Sequence, residues 1–176
     1  MSKIKLFFLL NLVIISSFSF AQETSFWPNQ LGLTVKQMKK NIGEEFNITK
    51  ISEDSNTINI NKAFILNREA QILAQGYNGH VYIITLSFSS FKQDLFKDLN
   101  IHFTKKYGKP IHPFKNEMYN DEVADGKKVT FWDLKKYTIM LSLSNFGLSI
   151  QYLDTELYKE RQKEFSKQLD QEKNKL

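Results

Sequence analysis

Few residues in this chain are of a type that does chemistry. Its 176 residues include three histidines, His80, His102 and His112, and no cysteine. Two imidazoles reach one metal ion locally when they sit at i,i+4 or His-x-His spacing. These three are all farther apart than that, so the pattern predicts hydrogen-bonded surface imidazoles and no metal site. No Gly-x-Ser-x-Gly nucleophile elbow occurs. The carboxylates fall mostly on turns or in the C-terminal tail, with no pair marked out for glycosidase-type chemistry. The excursion Glu117-Met-Tyr-Asn-Asp121-Glu122-Val-Ala-Asp125-Gly126 offers oxygen ligands but lacks the alternating acids of a calcium loop. It reads as a solvent-facing loop, long enough to touch a ligand. No cofactor is expected.

Aromatic residues are the richer resource: fifteen Phe, seven Tyr and two Trp. Most are accounted for by a core. Trp27, Tyr77, Tyr119 and Trp132 are less clearly so and stand as candidates for a binding patch, since aromatics carry interface energy efficiently. For Trp132, on a strand, burial is the favoured reading.

The elements that position these residues begin after a leader. Lys3 and Lys5 precede an apolar run, Leu6–Ile15, and small residues close at Ser19-Phe20-Ala21. This is the order of a secretory signal peptide cleaved near Ala21. The apolar run is too short to span about 30 Å of hydrocarbon. The expected protein is therefore secreted or periplasmic, with no transmembrane segment once residues 1–21 are removed. Without cysteine it has neither a lipid anchor nor disulfides, and its core alone holds the fold. The whole chain carries 24 Lys+Arg against 19 Asp+Glu. Loss of Lys3 and Lys5 leaves a charge of about +3, too mild for a nucleic-acid partner.

Residues 22–154 read as one α+β domain. Thr34 and Gln37 form a capping box, Leu31, Val35, Met38 and Ile42 follow helical spacing, and Gly43 supplies the stop. That predicts a helix of about two turns. From Phe46 to Phe88 the period becomes 2, with turns at Ser52–Asn56, Asn67–Glu69 and Gly76–Gly79, the pattern of an antiparallel meander. Val81–Phe88 is apolar on both faces and belongs in the middle of a sheet. A second helix starts near Ser89-Ser90 and runs to Tyr107, stopped by Gly108 and Pro110. Val129–Leu134, Tyr137–Leu143 and Leu148–Tyr152 are strands, the last two apolar on one face and polar on the other. The expected fold is two-layer, with two helices covering one face of an antiparallel sheet. Both helices are followed by Gly and a return into strands, so the domain can be read as two helix-plus-meander units, although the halves share too little identity to claim duplication. Residues 155–176 read as a charged C-terminal helix with a thin apolar stripe, Leu157, Tyr158, Phe165 and Leu169. Glu156–Glu160, Lys159–Lys163 and Lys163–Lys167 place like charges at i,i+4. Docking by the first half and fraying at the end is the expected behaviour, with a partner-binding helix as the sharper alternative.

Gly32-Leu-Thr34-Val-Lys-Gln-Met38 with Gly43 resembles the opening of small envelope proteins, the SmpA/OmlA outer-membrane assembly lipoproteins and the secreted β-lactamase-inhibitor-like proteins. Tyr107-Gly-Lys-Pro110, Trp132 and Tyr152-Leu-Asp154 are similar to the rhythm of many small secreted proteins. The resemblance touches about a third of the mature chain and implies a two-layer binding scaffold. It departs from both groups in lacking the lipidated cysteine and the disulfides, and it carries over no site residue. The expected function is a non-catalytic binding or assembly module of the cell envelope, with a protein partner in envelope or medium engaged through the C-terminal helix. The alternatives are a small secreted hydrolase, which needs histidines and acids to converge, and a small-ligand carrier, which needs an apolar cavity.

Overall fold

The computed structural model describes residues 24–46, 52–53, 56–89, 93–111 and 128–173. The proposed leader, His112, Tyr119 and the acidic excursion lie outside the described residues. The chain enters by a 3-10 turn, Trp27–Gln30, and the first helix follows as α1, Val35–Phe46. The capping box forms as expected: the Gln37 amide donates to Thr34 Oγ1 at 3.2 Å, and the Thr34 amide donates to Gln37 Oε1 at 3.0 Å. Gly43 does not end this helix. Another turn is added because the Phe46 ring stacks on Trp27, centroids 5.2 Å apart and planes 10° apart, and meets Phe26 edge-on. Packing of an aromatic pair here outweighs the roughly 1 kcal/mol that a glycine costs inside a helix.

Seven antiparallel strands follow: β1 (Ser52–Glu53), β2 (Thr57–Ile65), β3 (Arg68–Tyr77), β4 (His80–Phe88), β5 (Lys128–Asp133), β6 (Tyr137–Ser144) and β7 (Gly147–Asp154). Their order across the sheet is β1-β2-β3-β4-β7-β6-β5. Ser52–Glu53, expected in a turn, instead pairs with Asn59 and Ile58 as a short edge strand. The runs around Ile58 and Phe64 lie in one strand, β2, with a register shift between Ile60 and Ala63. Between β2 and β3, Leu66 and Asn67 both take positive φ; Asn78 and Gly79 do the same between β3 and β4. Two consecutive left-handed residues match the twist of the flanking strands, which is why these two-residue hairpins close tightly.

Helix α2, Gln93–Tyr107, precedes β5, and Gly108 at φ +87° ends it. Each helix is thus followed by a meander, and the two meanders join where β4 pairs with β7, from Ile83↔Leu153 to Phe88↔Leu148. Helix α1 lies over β2 and β4, and α2 over β5 and β6. One core unites them: Val35, Met38 and Ile42 from α1, Leu95, Leu99 and Phe103 from α2, and the inward residues Ile72, Ile84, Leu86, Ile139, Leu141 and Ile150 of the sheet. The fold is α+β in two layers, as the alternation of periods implies. Helix α3, Thr155–Lys173, lies against the other face. That face is covered there because Tyr82, Ile83 and Leu153 meet Leu157 and Tyr158 of α3. Among the described residues, no helix is long and apolar enough to cross a membrane.

Candidate functional site

Helix α3 starts at the end of β7 because Asp154 caps it. Its buried carboxylate accepts from the backbone amides of Glu156 and Leu157 at 3.1 and 3.0 Å. This satisfies two of the four amides that a helix start leaves unpaired. The first turns then set Tyr158 on Tyr82 and Leu153, with Leu157 and Ile83 beside them. Tyr82 faces this way because the β3–β4 register shifts: Gln75 pairs with Ile83, and Gly76 with Val81. The extra residue of this bulge turns both Tyr82 and Ile83 toward α3, while Val81 and Ile84 stay in the main core.

One turn further along, the Arg161 guanidinium lies 4.9 Å from the Tyr82 ring centroid and donates to the Tyr82 hydroxyl. That hydroxyl in turn donates to Gln75 Oε1 at 2.9 Å. Next on the same side, Glu164 accepts from the Tyr77 hydroxyl. Between helix and sheet end lies a cleft of about 430 Å³, lined by Asn56, Thr57, Gln75, Gly76, Tyr77, Asn78, Tyr82, Arg161 and Glu164. Burial pushes the Tyr82 phenol up, against the opposing pull of Arg161. The bond to Glu164 pushes Tyr77 up. Both phenols are therefore protonated at neutral pH and serve as hydrogen-bonding groups, not as bases.

The residues singled out from sequence separate sharply in space. Trp27 and Trp132 are each 1% exposed. Trp27 sits between Phe26 and Phe46; Trp132 packs edge-on to Phe103 and donates its Nε1–H to the Gly108 carbonyl at 3.2 Å. Neither ring can meet a partner without unfolding the core, so both leave the binding patch. Tyr77 is the one that lines a cleft, and Tyr119 lies outside the described residues. His80 Nδ1 is 2.9 Å from the Gly32 carbonyl, fastening the β3–β4 turn to the segment before α1. His102, on α2, has its Nε2 2.9 Å from Thr24 Oγ1 in the segment before the 3-10 turn. Burial, and then Lys106 and Lys105, hold His102 below the usual imidazole range. Among the described residues no three His, Asp or Glu groups cluster to hold a metal.

Arg161 and Glu164 were hidden in a charged tail whose pattern says only "solvated helix". The signal for them was geometric, about one and two helical turns after the docked Leu157 and Tyr158. A second, smaller cleft of about 270 Å³ lies at the other end of the strands. It is lined by Gln71, Ser87, Ser89, Ser144 and Ser149 beside Phe146, which is 95% exposed. No titratable side chain lines it. Against known proteins, no family model matches this chain, and no curated sequence or solved structure matches it either.

Proposed function

We propose that this is an exported, non-catalytic binding module of the cell envelope or medium, and that it engages a protein partner through α3. The observation that carries this reading is the helix itself. At 1.5 Å per residue its nineteen residues reach about 28 Å, yet among the described residues its last hydrogen bond to the sheet is at Glu164. Beyond that point, Phe165 is 56% and Leu169 41% exposed. They continue the side that Tyr158 docks, at i+7 and i+11, so the apolar stripe outruns the sheet that covers its start. Export rests on the leader-like residues 1–21, and the scaffold role on the resemblance to envelope binding proteins.

Crosslinking and affinity capture from envelope and medium fractions test the reading. The purified chain should capture a saturable protein partner, and Phe165→Glu with Leu169→Glu should abolish capture while leaving the melting temperature unchanged. Equal capture by the double variant, or none by the parent, refutes it. The hydrolase alternative draws support from no convergence of histidines and acids among the described residues. A small-ligand role finds its footing in the cleft beneath α3, which is polar and not apolar.

A further inference from the structure

The cleft beneath α3 contains two opposite charges that do not neutralise each other. Arg161 and Glu164 are three residues apart on one helix and line the same space. Among the described residues, no carboxylate comes within salt-bridge distance of Arg161. Arg161 is anchored instead by the Tyr82 ring and hydroxyl, which fixes the guanidinium plane and leaves most of its five N–H donors for another acceptor. Glu164 is anchored by the Tyr77 hydroxyl through one oxygen, Oε2. Two charges, each bonded to a phenol, thus share one cleft that Asn56, Gln75 and Asn78 also line.

A ligand of a single sign would meet one favourable and one unfavourable charge here. A zwitterion meets two favourable ones. We propose that the cleft binds a free α-amino acid, its carboxylate on the Arg161 guanidinium and its ammonium on the Glu164 carboxylate. The half-buried Tyr77 ring flanks the ligand's side chain, while Tyr82, buried beneath Arg161, only holds the guanidinium in place. The volume, about 430 Å³, is in the range of small-molecule pockets. Bidentate guanidinium–carboxylate pairing supplies the directional part of the recognition. This goes beyond the docking role of the distal stripe and does not depend on it.

Isothermal titration of the purified protein with each of the twenty free L-amino acids at pH 7 is the test. For the tightest binder, the amide removes the carboxylate charge and the N-acetyl form removes the ammonium. Saturable binding is expected, weakened roughly tenfold or more by either blocking group, since each removes a charge-assisted hydrogen bond. Arg161→Met should bind acid and amide equally, and Glu164→Gln should bind the free and N-acetyl forms equally. Glu164→Gln keeps an acceptor for Tyr77, so one variant leaves the docking of α3 in place even if the other loosens it. No saturable heat from any amino acid up to about 10 mM, well above a millimolar dissociation constant, overturns the proposal. So does a parent affinity unchanged by both blocking groups. Partner capture lost in the Phe165/Leu169 double variant, beside a silent titration, refutes the amino-acid site alone; the converse pair of results refutes only the docking role.

Discussion

Replacing Gly147 by alanine adds one methyl group at the β6–β7 turn, and the structure leaves no place for it. The backbone there has φ +139°, and an added Cβ would stand 2.4 Å from the Phe88 carbonyl oxygen and 3.5 Å from its carbon. The φ value alone costs an L-residue about 1–3 kcal/mol. Relief of the contact must come from backbone, because the oxygen belongs to β4 where Phe88 pairs with Leu148. Losing that last rung adds about 1 kcal/mol for the hydrogen bond and disturbs a Phe88 side chain buried in the core. These two terms sum to about 2–4 kcal/mol, which at 2–4 °C per kcal/mol lowers the melting temperature by roughly 4–16 °C. Gly79→Ala is the control: φ is +78°, and an added Cβ meets nothing within 4 Å. Its cost should be the conformational part only, about 1–2 kcal/mol. Urea titrations followed by circular dichroism, with unchanged denaturant slope, read both values. Equal losses for the two variants, or a Gly147→Ala loss under about 1 kcal/mol, would refute the steric reasoning.

Other outcomes follow from single groups. Asp154→Ala removes the cap of α3 and should cost about 1 kcal/mol; amide exchange should show Leu157–Glu164 losing several-fold more protection than α2, and uniform loss would sink the idea. Tyr152→Phe should leave stability unchanged or raise it by about 1 kcal/mol, because the buried Tyr152 hydroxyl has no hydrogen-bond partner among the described residues; a urea midpoint that falls clearly would contradict this. Burial pushes the Tyr152 and Tyr107 phenols well above 10. The unfolded chain then releases those protons first as pH rises, so the native state binds more protons and loses stability. Stability should hold below pH 10 and decline above it, by up to about 1.4 kcal/mol per pH unit for each such phenol. Urea midpoints between pH 8 and 11 check the slope, and a flat profile would contradict it.

The fold was legible where local chemistry and tertiary packing agree. Thr34 and Gln37 announce the start of α1 in four residues, and the reciprocal bonds form. Val81–Phe88 shows apolar residues on both faces, and β4 is indeed the central strand. The end of α1 was not legible, because Phe46 meets Trp27 across nineteen residues and that contact overrides Gly43. The candidate site was less legible still. Tyr77 could be picked out as an aromatic without an obvious core role, but Arg161 and Glu164 looked like any other charges of a solvated helix. What brings them over Tyr82 and Tyr77 is a one-residue bulge in β4, whose only sequence trace is the Gly76 opposite it. The two tryptophans were conspicuous as residue types, and their type is what buries them.

The pairing of β4 with β7 has a kinetic consequence. These neighbours at the centre of the sheet are 60 to 70 residues apart along the chain. The hairpins β2–β3, β3–β4, β5–β6 and β6–β7 can each close locally, but the seam between the halves closes only across a long loop, after its entropy has been overcome. Until Gly147–Asp154 is available, β4 presents Ile84, Leu86 and Phe88 along an open edge, the kind of edge that recruits other chains. A chain stopped or clipped before Asp154 would therefore aggregate instead of persisting as a smaller domain. The last strand is the step that covers the open edge of β4, and everything upstream of it waits in a form that a chaperone would recognise.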